Sequence, residues 1–341
     1  MNLSITGSGA VSPAGWGVEA TMNALASGER LTPSLLERTT GGILIQTPVL
    51  RVPAENATTP KFPRLRRASP ISKFAAAAVM EALGETRLAA IAAGDLRVGV
   101  IFTLINGCVN YSNRFFGEVL ADPAMASPIL FPETVFNAPS SHVSAMIGSS
   151  APNDSLIADS SGFFTGIDLA AEWIERGDVD GCLIVASEEI DWLSAEGLCL
   201  YSRSYLPAEG AGAIYLEAGE GPVKLLHLPN PVSYSGCSRM AAAREIRERL
   251  GVVDNGRSLL IDGRAGIGRY DRAESSAWSD WTGPRWSPRM ILGEAMGASA
   301  ALQIVAAVEA LKSGSFDRVI VITTGGNQQA AGLVLGASPA A

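Results

Sequence analysis

The chain has 341 residues, 47% of them hydrophobic and 18% charged, with a formal net charge of −8. That length accommodates one large or two ordinary domains with a substantial core. The acidic balance argues against nucleic acid as the main partner. The four cysteines (Cys108, Cys182, Cys199, Cys237) are scattered without CxxC spacing, so they read as reduced thiols, neither a disulfide frame nor a metal site. No basic leader precedes an apolar core at the N-terminus, and no apolar run reaches the length of a membrane span. A cytoplasmic chain with no membrane partner is expected.

In chain order, Ile5 to Val11 predicts a strand that runs into a Gly/Pro turn at 12–17. Its Gly7-Ser8-Gly9 is too short and poorly spaced for a dinucleotide fingerprint. Arg64, Arg66, Arg67 and Lys73 form a basic patch before an Ala-rich helix. Its default reading is a solvated helix face; an acidic carrier protein is the other occupant considered. The short apolar run Ser155 to Ala158 meets Asp159-Ser160-Ser161-Gly162, and the apolar helix Gly166 to Ile174 follows, closed near Gly177. A strand, a Ser/Gly turn and a buried helix make an elbow, which holds one side chain at a helix N-terminus where negative charge is favoured. The ordinary role of Asp159 and Ser160 at such a turn is N-capping. Further on, Glu209 to Glu217 predicts a strand, and His227 lies in the strand-like run 223–228, as a structural histidine. Trp278, Trp281 and Trp286 cluster in a Gly/Pro loop, lining a tunnel mouth or packing at the surface.

Two segments look like copies of one unit. Asp168 to Gly177, then Leu183-Ile184-Val185, is matched by Ile304 to Gly314, then Val319 to Ile322. Each is an apolar helix closed by Gly, the usual residue past a helix end, then a turn with Asp and a β-branched strand. The interval from Ser160 to Gly177 equals that from Gly297 to Gly314. Both helices are too apolar and Ala-rich for a surface, so they are expected side by side in a central layer.

The elbow with its following Gly177-Asp178, the opening Ile5-Thr6-Gly7-Ser8-Gly9, and Glu209-Gly210-Ala211-Gly212 together resemble the β-ketoacyl synthase family of the thiolase superfamily. The resemblance covers nearly the whole chain. It implies an α/β fold, a thiolase-like five-layer αβαβα sandwich of two duplicated halves, 1–219 and 220–341. In that family a cysteine stands where this chain has Ser160, and two histidines assist condensation. The matching stretches here put Asp262 and Glu294 in the histidines' places, with Arg289 for a lysine and Thr324-Gly325-Gly326-Asn327 for a glycine-rich loop lacking its phenylalanine. A serine hydroxyl needs a nearby general base, ionised carboxylates cannot donate to an oxyanion, and they repel a malonyl carboxylate. No catalytic residue and no independent activity are therefore expected.

Chains of this kind resemble the chain-length factors of type II polyketide systems. That resemblance implies a non-catalytic subunit that pairs with an active ketosynthase in polyketide, polyene or fatty-acid-like biosynthesis and shapes the acyl tunnel. It further implies an acyl carrier protein as second partner, no metal, and no cofactor beyond the carrier's phosphopantetheine arm. Tunnel or interface candidates are Phe115, Phe116, Phe136, His142 and Met146. The alternative is a serine-dependent acyltransferase or thioesterase on the same fold, using Ser160 with His142 as base.

Overall fold

The computed structural model describes residues 2–55, 61–326 and 328–338, and of Arg64 and Gly236 the backbone alone. Asn327 and the Arg64 side chain, named above, lie outside the described residues. Ten strands form one continuous mixed sheet. Five belong to the first half: β1 (Leu3–Ser12), β2 (Val98–Leu104), β3 (Asn153–Ile157), β4 (Gly181–Glu188) and β5 (Gly210–Ala218). Five belong to the second: β6 (Val223–His227), β7 (Ser258–Ile261), β8 (Arg285–Trp286), β9 (Arg318–Thr324) and β10 (Gln329–Ala337). Their spatial order is β8-β7-β9-β10-β6-β1-β5-β4-β2-β3, with short strands at 15–16 and 232–233 attached at its sides. A separate hairpin pairs residues 34–40 with 43–49.

That order reads the same from either end. In the first half β2 lies parallel to both β3 and β4, while β5 is antiparallel to β4 and to β1. In the second, β7 lies parallel to β8 and β9, while β10 is antiparallel to β9 and to β6. The halves join where β1 pairs with β6, through Ser4 opposite Lys224 and Ile5 opposite Val223. Gly219, with φ of 107°, turns the chain between β5 and β6.

Eight helices matter for the site: α1 (Pro70–Ala93), α2 (Val109–Ala121), α3 (Ala138–Ile147), α4 (Gly162–Glu175), α5 (Trp192–Tyr201), α6 (Arg239–Leu250), α7 (Gly268–Ala277) and α8 (Gly297–Lys312). α1 and α3 cover one face of the first half, and α6 and α7 cover the outer face of the second. α4 and α8 lie between the halves, each touching strands of both. The layers are therefore helix, sheet, helix, sheet, helix, as the sequence implied.

Composition explains the central layer. Only Glu309 and Lys312 of α8 escape full burial, and its small side chains let strands approach closely. A Cβ built on Gly212 of β5 would stand 2.7 Å from Ala301 of α8, so glycine is required there. Both helices end at glycines in the left-handed region, Gly177 with φ of 72° and Gly314 with φ of 73°, the conformation glycine adopts without steric cost.

Candidate functional site

The elbow closes the end of β3. Ala158 N–H donates to Leu104 O over 3.3 Å, extending the parallel ladder by one residue, and Gly162 N–H turns back to Asp159 O at 2.8 Å. Asp159 is buried and fixed from two sides. Its Oδ1 accepts from the Ser161 amide at 3.0 Å and from the Ser161 hydroxyl, and its Oδ2 accepts from Gln328 N–H at 3.1 Å. The expected capping role of Ser160 is corrected here. The residue before α4 is Ser161, already in the helical region, and no side chain caps it. The Asp159 carboxylate takes the nearby amides, which leaves Ser160 facing a cavity.

That cavity, about 870 Å³, is bordered by Ser160, Tyr205, Arg239, Glu274, Arg289 and Glu294. Glu294 is buried and accepts from Arg289 Nη1 at 3.1 Å and from Ser299 Oγ at 2.9 Å. The Nη2 of Arg289 continues to Thr323 Oγ1 at 2.7 Å. Glu294 and Arg289, read from one motif, both border the cavity.

Asp262, expected beside them, points elsewhere. It is fully buried and accepts from Arg264 Nε at 2.8 Å, from Ser287 Oγ at 2.7 Å and from Arg285 Nε. Two guanidiniums supply the counter-charge a buried carboxylate needs, and they stand toward β8, away from the cavity. The residue that faces the cavity at this strand end is its neighbour, Gly263. Side chains alternate along an extended backbone, so a one-residue difference in register decides which face a side chain serves. A Cβ at 263 would meet Thr323 Oγ1 at 2.8 Å and Glu274 Oε1 at 2.9 Å, leaving no room for a larger residue as packed.

Three cavity residues carried little or no signal in the sequence. Glu274 of α7 accepts from Gly263 N–H at 2.7 Å and from the Thr324 amide. Burial, and secondarily the Asp262 charge, pushes its carboxyl up to about 7. Arg239 donates to Thr324 O at 3.0 Å and Gly325 O at 3.1 Å, holding the loop after β9. Burial, reinforced by the Glu294 charge, raises the Tyr205 phenol, which therefore stays protonated. Tyr205 and Arg239 come from segments with no pattern.

The proposed Ser160–His142 dyad is not formed. His142 Nε2 is hydrogen-bonded to Glu133 Oε1 at 2.8 Å, and among the described residues neither histidine borders the cavity. The reason is the sheet itself: α3, which carries His142, packs on the outer face of β2, whereas α4 packs on the inner one. His227 is exposed, its Nε2 at 3.0 Å from Arg249 O.

Of the aromatic candidates, Phe136 borders the cavity. Phe115 packs on Phe131 with ring centroids 5.7 Å apart, and Phe116 is exposed. Met146 is corrected: it packs with Leu65, Ala68 and Ala76 in the outer helix layer. Trp278 is buried edge-to-face with Trp281, and Trp286 meets Phe316; none borders the cavity.

Among the described residues, β3 has β2 on one side and no strand on the other, at the end of the sheet. A groove of about 480 Å³ beside it is bordered by Phe136, Ser140, Asn153, Ser155 and Ile157. Ile157 is 58% exposed, Phe131 57% and Phe136 44%. No helix among the described residues is long and apolar enough to cross a membrane.

Residues 2–220 match the family of the β-ketoacyl synthase N-terminal domain. No curated protein matches the sequence. Among solved structures, the ishigamide ketosynthase/chain length factor superposes with a TM-score of 0.82 at 19% identity, covering 99% of this chain and 100% of that one. The ketosynthase ApeO in complex with its chain length factor ApeC, from Xenorhabdus doucetiae, gives 0.80 at 15% identity, covering 99% and 98%. AntDE:AntF, a type II polyketide acyl-carrier protein in complex with its ketosynthase, gives 0.78 at 18% identity, covering 99% of each. At these identities the likeness establishes a common fold.

Proposed function

We propose, from the premise that the chain belongs to the β-ketoacyl synthase family, that it is a non-catalytic subunit pairing with an active ketosynthase, a chain-length factor of an acyl-assembly system. The observation that carries this reading is the elbow cavity, where Ser160 is accompanied by carboxylates and guanidiniums and by neither histidine. A hydroxyl with no histidine beside it lacks the family's usual proton acceptor. Glu294, which accepts from Arg289 and Ser299, offers no hydrogen-bond donor to a developing oxyanion.

The pairing half of the reading is supported by the free edge of β3 and the exposed Phe131, Phe136 and Ile157 beside it. An unpaired edge next to apolar surface invites a partner strand, and a partner there would also cover the cavity's rim. The partner is then an active ketosynthase, with an acyl carrier protein delivering chains on its phosphopantetheine arm. The test is co-expression with a genomically adjacent ketosynthase, followed by sizing and an extension assay. A one-to-one heterodimer that elongates, and a lone chain that does not, is the expected result. Extension of an acyl thioester by the purified chain alone would overturn it.

The serine-dependent alternative has lost its base, because His142 is paired with Glu133 on the far side of the sheet.

A further inference from the structure

The end of β7 carries a second charged cluster, outside the elbow cavity. Asp262 accepts from Arg264 Nε at 2.8 Å and from Arg285 Nε, and Arg264 Nη2 goes on to Ser287 Oγ at 3.0 Å. Arg30 reaches the same two segments. Its Nε donates to Met290 O at 3.1 Å, and its Nη2 lies over Gly266, 2.8 Å from where a Cβ would stand. None of these three arginines borders the cavity. Arg285 Nη2 is buried and has no hydrogen-bond partner among the described residues. Buried polar groups in native proteins are overwhelmingly satisfied, and a donor left alone there is costly. Asp271, the next carboxylate along the loop, is turned into the amides of Ala265, Gly266 and Ile267 at 2.8–3.0 Å. Three guanidiniums are thus set against two carboxylates, a local excess of positive charge on a chain whose formal net charge is −8.

We propose that Arg30, Arg264 and Arg285 form a binding site for a phosphate group, either the free ion or a monoester. A guanidinium fork matches phosphate oxygens two at a time. Asp262 occupies the Nε of both Arg264 and Arg285, which fixes the two forks and leaves terminal nitrogens for a ligand. The innermost oxygen takes Arg285 Nη2, and the outer oxygens take Arg264 Nη1 and the end of Arg30. Arg30, exposed and held by one hydrogen bond, is the side chain free to swing as the anion seats. Binding is non-covalent. The site depends neither on the non-catalytic reading of the elbow nor on the pairing with a ketosynthase.

The test is calorimetric titration of the protein, in whatever assembly it purifies, with inorganic phosphate, glycerol 3-phosphate and chloride, at pH 8 and low ionic strength. Phosphate, largely a dianion at that pH, binds, and chloride gives no heat of binding. Arg30→Ala leaves the ion pairs of Asp262 in place and weakens phosphate binding about fivefold. Arg285→Lys keeps a charge beside Asp262 but removes the fork, and weakens it at least about tenfold. Thermal melts without phosphate confirm that the variants are folded, and added phosphate raises the melting temperature of the parent more than that of either variant. Glycerol 3-phosphate that binds as well as phosphate assigns the site to a phosphate carried on a larger molecule, and its exclusion assigns the site to the free ion; both results uphold the proposal. Absence of phosphate binding, equal binding of chloride, or undiminished binding by both variants would overturn it.

Discussion

Arg289 and Glu294 form an ion pair at 3.1 Å with side chains only 6% and 7% exposed. The pair sits where a condensing site would need neutral donors, and it ties the short helix Pro288–Leu292 to the start of α8. Buried pairs add little net stability over apolar replacements, but removing one partner strands the other charge.

Arg289→Met alone is accordingly expected to destabilise the protein by about 3–5 kcal/mol, whereas Arg289→Met with Glu294→Leu recovers most of that loss. Denaturant titration of the two variants measures the difference. Equal destabilisation by both would show that shape, rather than charge, governs this site.

Ser160→Cys restores a thiol at the elbow without restoring its surroundings. The variant is expected to show no extension of an acyl thioester with malonyl carrier above the parent's background. A cysteine there faces Glu274 and Glu294, and no histidine is available to donate to the developing charge. Radiolabelled malonyl incorporation by the isolated variant reads the outcome.

Glu188 ends β4 fully buried, accepting from the amides of Ile105, Asn106 and Gly297, and burial pushes its carboxyl up to about 8. The unfolded chain loses that proton near pH 4.5, so between about pH 4.5 and 8 the folded state holds more protons. Stability from this group is therefore present at low pH and lost as pH rises toward 8. Glu274, raised to about 7, acts in the same direction over a narrower window. Glu188→Gln should gain stability relative to the parent as pH rises from 5 to 8, read as the difference between their melting temperatures. A difference that stays constant with pH would contradict the assignment.

Ile157→Lys places a charge on the exposed end of β3, where charged edge residues oppose strand pairing. It is expected to abolish heterodimer formation in sizing experiments while changing the protein's own stability by no more than about 0.5 kcal/mol. Retained assembly would move the partner to another face.

Much of the fold was legible in the sequence because burial leaves a pattern. The Ala-rich runs of α4 and α8, each closed by a glycine and followed by a β-branched strand, follow from local chemistry: small residues where layers touch, glycine where φ must be positive. The elbow could be read for the same reason, since strand, turn and helix are contiguous. Side-chain direction at single positions was not legible. Asp262 and Gly263 are neighbours in the chain, yet one is held toward β8 by two arginines and the other borders the cavity. His142 and Ser160 lie 18 residues apart in sequence, yet a sheet stands between them. Tyr205 and Arg239, from segments without periodicity, meet the cavity because the halves fold against each other. Local composition thus determined layers and turns, while the identities of the groups sharing the cavity were decided by long-range packing, which no interval along the chain encodes.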